Sequence, residues 1–178
     1  MMGLVFIDVV WMHDALHEAS LTECAQEIML AIIALLFFHR AWRSPVKRPI
    51  AVLVGGFFGC MLIRELDFLF DLLSHGSWFW FALALALACT AIALRNPRGI
   101  VFGLARFMTH PGWGMMSAGM LTILVFSRLF GIHQLWENLM LDSYIRTVKN
   151  MAEEGSELLG YSLCMLATVR YLWPCKHP

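Results

Sequence analysis

Apolar residues in this chain form five long stretches separated by short polar breaks. A helix needs ~20 apolar residues to cross the hydrocarbon core of a bilayer, and each stretch meets or approaches that length. The breaks carry turn-forming residues, among them Pro45, Gly76, Pro97 and Gly112. The stretches lie at about residues 21–42, 50–73, 78–95, 113–131 and 151–173. They predict an all-α fold, a polytopic transmembrane helical bundle of about five spanning helices plus interfacial helices, in which residues 1–178 form a single transmembrane domain.

Three shorter segments are less regular. Residues 1–10 are apolar but are interrupted by Asp8 and lack a basic beginning, so we expect an interfacial segment rather than a cleaved signal. Residues 99–109 are too few to cross and predict an interfacial or half-inserted helix. Residues 131–150 are loosely amphipathic, so they either lie on the outer surface or extend the fourth helix.

The composition agrees with a membrane environment. The chain is 60% hydrophobic and 15% charged, and its mean hydropathy is +0.68. A soluble domain is about half apolar and a quarter charged, so much of this apolar surface must face lipid. The formal net charge is zero, which gives no general attraction to nucleic acid. The sequence therefore predicts the lipid bilayer, and no nucleic acid, as a partner.

Positive charge marks one side of the predicted bundle. Short loops rich in Lys and Arg stay in the cytoplasm. With five spans, nine of the thirteen Lys and Arg residues fall on one side. The nine are Arg40, Arg43, Lys47, Arg48, Arg95, Arg98, Arg106, Arg170 and Lys176. We therefore predict a multi-pass protein of the cell inner (plasma) membrane, with the N-terminus outside and the C-terminus cytoplasmic.

Acidic residues occupy the opposite side. All thirteen Asp and Glu residues fall on the outer half of the predicted bundle, with four basic residues among them. Several lie within spans rather than in loops. Since a charge in hydrocarbon costs at least ~2.5 kcal/mol, such groups should meet one another or a ligand.

Ionisable residues from four spans reach a similar depth below the outer surface. Glu27 lies in the first span, Glu65 in the second, Arg128 in the fourth and Glu157 in the fifth. His133 and Glu137 are four residues apart just beyond the fourth span and would cover the site from outside. The predicted site comprises Glu27, Arg64, Glu65, Asp67, Arg128, Glu154 and Glu157, with His133 and Glu137 as its cover.

Like-charged carboxylates need a positive partner. Arg64 and Arg128 would balance them, as would a divalent metal or bound protons. A metal (Zn, Mn, Fe or Mg) would be held by Glu27, Glu65, Glu157 and His133. The alternative is a buried ion-pair network that only locks the helices together. No P-loop, GxSxG, HExxH, GxGxxG or CxxCH motif is present in the sequence.

The leading functional hypothesis is an outward-facing, partly intramembrane site that binds a divalent cation or a polar head group. In an enzyme, Glu27, Glu65, Asp67 and Glu157 would be catalytic and act on a membrane-embedded substrate. The charge-balancing or substrate-contacting residues would then be Arg64, Arg128, Glu137 and Glu154. One alternative is a non-enzymatic accessory subunit whose outer face docks a protein partner. Another is a small proton- or cation-coupled transporter, which the lack of acids on the inner half disfavours.

Overall fold

A computed structural model describes residues 21–72, 74–140 and 146–173, with only the backbone at 137–140, 146 and 147. Every element in these ranges is helical, and none of their residues lies in a strand. The elements are α1 (Leu21–Arg43), α2 (Arg48–Glu65), α3 (Asp67–Asp71), α4 (Trp78–Leu94), α5 (Pro97–Met108), α6 (Trp113–Gly131), α7 (His133–Met140) and α8 (Arg146–Leu172). The interfacial segment predicted at residues 1–10 lies outside the described residues.

Two of the described helices are long and apolar enough to cross a membrane. They are α1 and α6, and a third span results if α4 and α5 are one broken span, bent by 101°. The structure therefore supports a membrane protein, and the number of about five spans stays a prediction. Helix α2 carries Arg48, Arg64 and Glu65 within its 18 residues, and α8 begins with a polar segment.

The breaks between helices follow the turn chemistry of the sequence. Helix α5 begins at Pro97, and the Asn96 side chain accepts a hydrogen bond from the Gly99 amide at 3.0 Å. The single helix predicted over 50–73 is interrupted: α2 ends at Glu65, and the short helix α3 follows it. After α3, the Asp71 carboxylate accepts a hydrogen bond from the backbone amide of Gly76. Gly76 has a φ of 76°, a left-handed conformation that favours glycine in this turn.

The chain divides into two compact units. Among the described residues, the first unit comprises 21–26, 114–140 and 146–167, and the second comprises 27–72, 74–113 and 168–173. In the first unit, α6 and α8 approach closely at two glycines. A Cβ on Gly119 would stand 2.7 Å from the Gly160 carbonyl oxygen, and one on Gly160 would stand 2.4 Å from Ile123 Cγ1. The two helices are therefore packed with no room for a methyl group at this contact.

The second unit is built around α2. A Cβ on Gly56 would stand 2.7 Å from Cys89 Sγ on α4, and one on Gly103 of α5 would stand 2.9 Å from Ile50 Cγ2. Helix α2 thus contacts α4 on one face and α5 at its N-terminal end. The prediction that residues 1–178 make one membrane domain stays a prediction.

Candidate functional site

The site begins with an irregular turn in α6. Residues Thr122–Phe126 form a π-helical turn between the α-helical segments Trp113–Leu121 and Ser127–Gly131. The Ser127 amide consequently donates to the Thr122 carbonyl, five residues back. The Ser127 hydroxyl donates to the Ile123 carbonyl at 2.5 Å, at the position where an α-helix would place that amide. A π turn of this kind re-aims the side chains that follow it and is frequent at functional sites.

Ser127 faces a buried carboxylate on α8. Glu157 is only 9% exposed, and its Oε1 lies 3.1 Å from the Ser127 hydroxyl oxygen. Ser127 itself has no exposed surface. The single hydroxyl proton of Ser127 lies between two acceptors, the Ile123 carbonyl and the Glu157 carboxylate, so one shared donor links α6 to α8. Because Ser127 is fully buried, its hydroxyl is not accessible as a nucleophile.

The neighbouring arginine links this carboxylate to the surface. Arg128 Nη2 lies 3.5 Å from Glu157 Oε1, at the outer limit of a charge-assisted contact. The Arg128 side chain is 49% exposed, while that of Glu157 is 11% exposed. The guanidinium can therefore keep one edge on Glu157 and present the other to a ligand.

A second ion pair lies one helical turn away on α8. Lys149 Nζ is 3.2 Å from Glu153 Oε2, and the two side chains are 17% and 24% exposed. The Glu153 carboxylate covers Gly131 at the end of α6, where a Cβ would stand 2.7 Å from Oε1. Because Glu153 and Glu157 are four residues apart, one face of α8 carries both pairs toward α6.

The start of α1 contributes the remaining polar contact of this unit. The Gln26 side chain is 3% exposed, and its Nε2 donates to the Glu154 carbonyl at 3.2 Å. Glu154 thus contributes its backbone carbonyl to this group of polar contacts. We refer to Ser127, Arg128 and Glu157 as the outer triad, and the Lys149–Glu153 pair and Gln26 surround it.

The predicted site residues of the second unit are arranged differently. Arg64 and Glu65, adjacent at the end of α2, form an ion pair with each other. Asp67 on α3 is exposed, and Glu27 on α1 is partly buried. That these groups share one site with the outer triad stays a prediction.

The structure gives the metal hypothesis no support. Among the described residues there is no group of three or more His, Cys, Asp or Glu side chains placed to hold an ion. His133, a predicted ligand, is exposed at the start of α7, and the Glu137 side chain lies outside the described part of the chain. Of the four predicted ligands, Glu157 is the one in the outer triad, where Ser127 and Arg128 are among its partners.

Four residues of this arrangement were not among the predicted site residues: Gln26, Ser127, Lys149 and Glu153. Ser127 directly precedes Arg128 in an otherwise apolar stretch, which was the available signal for it. The Lys149–Glu153 pair has the i, i+4 spacing of helical ion pairs. Gln26 is a polar residue within an apolar span, and such residues usually have a partner.

Comparisons with protein-family models, with curated proteins and with solved structures give no match.

Proposed function

We propose that this chain is a multi-pass membrane protein of about five spans that binds the polar head group of a lipid through the outer triad. The observation that carries the proposal is the half-exposed Arg128 held beside the nearly buried Glu157. With the predicted orientation, the N-terminal end of α1 is outside, and the outer triad lies near the outer surface. Arg128 is three residues from the end of α6, or about 5 Å along the helix axis.

The charges favour a head group over a divalent cation. A metal ion at Glu157 would meet the Arg128 guanidinium within 3.5 Å of the same carboxylate oxygen, and the two positive charges would repel each other. The described residues also place no group of three ligands there. A phosphate, by contrast, pairs with the free edge of a guanidinium in a bidentate manner.

The carboxylate specifies the rest of the ligand. Glu157 accepts hydrogen bonds, so a ligand group beside the phosphate should be a donor, either an amine or a hydroxyl. Ethanolamine phospholipids have this pairing of phosphate and amine. The proposed ligand class is therefore a phosphate-bearing head group with a neighbouring hydrogen-bond donor.

Affinity for defined lipids tests the proposal. Full-length protein in mild detergent is titrated with phosphatidylethanolamine or with diacylglycerol, which lacks the phosphate, and bound lipid is measured by native mass spectrometry. We expect phosphatidylethanolamine to bind more tightly. Arg128→Gln should weaken it by about 10- to 100-fold, the equivalent of one charged hydrogen bond of ~1.5–3 kcal/mol.

Asp67→Asn is the matched control, because it removes one exposed carboxylate. It should leave the affinity unchanged. If Asp67→Asn lowers the affinity as much as Arg128→Gln does, the wider site predicted from the sequence replaces the outer triad. If neither variant changes the affinity while both lower thermal stability, the ion pairs only lock the helices together.

A further inference from the structure

A different group of charges, in the second unit, carries an inference that does not depend on the proposed function. Four cations belong to this unit at the end where α1, α5 and α8 meet. They are Arg40 on α1, Lys47 before α2, Arg106 on α5 and Arg170 on α8, and we call them the basic cluster.

Aromatic packing holds the three helices of this cluster together. Phe107 of α5 contacts Tyr171 of α8 with ring centroids 4.8 Å apart, and Phe37 of α1 lies 6.5 Å from Phe107. Arg106 and Arg170 directly precede Phe107 and Tyr171 in the sequence. Arg40 follows Phe37 by three residues, which is about one turn of α1.

The N-terminal end of α2 brings in the fourth cation. A Cβ on Gly99 of α5 would stand 3.1 Å from Pro49 Cγ, so α5 packs directly on the start of α2. Lys47 is the residue just before this helix. Burial, followed by the charges of Arg40 and Arg106, lowers the pKa of Lys47. These three cations are therefore close enough to repel one another.

No acid lies close to the four cations along the sequence. Residues 28–64, 72–136 and 158–178 contain no Asp or Glu. Within the described ranges, none of the four cations forms an ion pair with a carboxylate. Neighbouring cations that have no carboxylate partner among the described residues favour the binding of an anion from outside the chain.

An uncovered apolar surface lies on the same helix. Val101 and Phe102 of α5 are 71% and 66% exposed. They line an open groove of about 550 Å³ together with Pro97, Arg98 and Ala105. The opposite face of α5, with Gly99 and Gly103, packs against α2. Such a helix, apolar outward with cations at its ends, is typical of one that lies in the lipid interface.

We infer that the basic cluster binds the phosphate of an anionic phospholipid in the cytoplasmic leaflet, with the acyl chains lying along the exposed face of α5. The occupant must supply both a negative charge for the cluster and an apolar tail for the groove. A free anion would satisfy only the first requirement. The predicted orientation places these loops on the cytoplasmic side, where anionic lipids attract clustered Lys and Arg.

The test compares phosphatidylglycerol with phosphatidylethanolamine on the full chain, by native mass spectrometry of the detergent-solubilised protein. In the Arg128→Gln protein, in which the outer triad is weakened, phosphatidylglycerol should bind more tightly than phosphatidylethanolamine. The double variant Lys47→Gln/Arg106→Gln should lose about 25-fold in affinity for it, at about fivefold for each charge. The control, Arg43→Gln/Arg95→Gln, removes two exposed charges from the same side outside the cluster and should change the affinity less than about threefold.

Three results would overturn the inference. They are equal affinity of the Arg128→Gln protein for both lipids, equal losses in the two double variants, and full displacement of phosphatidylglycerol by millimolar inorganic phosphate. The charge-conserving Lys47→Arg/Arg106→Lys should retain binding. If the first double variant does not fold, the exposed Arg170→Gln replaces it, with an expected loss of about fivefold.

Discussion

The closest contact between α6 and α8 predicts a stability difference between two glycine substitutions. A Cβ on Gly119 would stand 2.7 Å from both the Gly160 carbonyl oxygen and Cys164 Sγ. A Cβ on Gly155, also within α8, would meet no atom within 4 Å. The two sites therefore differ in the space around them, while both changes are Gly→Ala within a helix.

The magnitude follows from two opposing terms. Replacing glycine with alanine inside a helix stabilises it by up to ~1 kcal/mol, and this term is common to both positions. Overpacking costs ~1–3 kcal/mol, and at Gly119 it arises against backbone, which cannot rotate away. We therefore expect Gly119→Ala to be less stable than Gly155→Ala by ~1–3 kcal/mol.

Reversible unfolding of the purified protein in mixed micelles of mild detergent and dodecyl sulfate measures this difference in free energy. Gly114→Ala is a second control, because a Cβ there also meets nothing within 4 Å. Equal free energies of unfolding for Gly119→Ala and Gly155→Ala would refute the close packing of α6 on α8. The same packing sets Ser127 opposite Glu157, so that result would also weaken the outer triad.

Three further predictions concern other parts of the chain. Burial, followed by nearby arginines, lowers the pKa of His110 from 6.5. As the pH falls, the histidine of the unfolded chain is therefore protonated first, and the free energy of unfolding should decrease below a pH of about 6.5. The His110→Gln variant should not show this decrease. Asp71→Ala should cost ~1 kcal/mol in thermal unfolding, because its carboxylate accepts the Gly76 amide at 2.9 Å. Cys24 is exposed in the first turn of α1, so an impermeant maleimide should label the protein in sealed right-side-out vesicles. The Cys24→Ser variant should not be labelled, and protection of Cys24 in the wild type would contradict the outward N-terminus.

The helix boundaries show what hydropathy reveals. Helix α1 was predicted at 21–42 and is Leu21–Arg43, and α4 was predicted at 78–95 and is Trp78–Leu94. Proline and charged residues mark the C-terminal end of α1, and glycine, proline and arginine flank α4, so these ends can be predicted from the sequence. The described part of α8 already includes residues 146–150, because a polar helical turn leaves no trace in a count of apolar residues. Residues 99–109 were predicted as a short helix, which is confirmed as α5.

The contacts of the site were harder to predict from the sequence than the helix boundaries. Arg128 and Glu157 were predicted as site residues from their similar depth in the predicted spans. In the structure, Arg128 Nη2 lies 3.5 Å from Glu157 Oε1. Depth did not reveal the π turn that aims Ser127 at Glu157, because that turn depends on backbone hydrogen bonding and has no residue signature. It also did not reveal that Arg64 pairs with the adjacent Glu65. Side chains one apart point in different directions on a regular helix, but α2 ends at Glu65.

The central claim is that Arg128 and Glu157 act as one site for a phosphate-bearing head group. A double-mutant cycle of Arg128→Gln and Glu157→Gln, read as phosphatidylethanolamine affinity, tests it most directly. Two groups that hold one ligand together should give non-additive losses, with the double variant no weaker than the weaker single variant. Losses that simply add, or an affinity that stays unchanged in all three variants, would contradict the account.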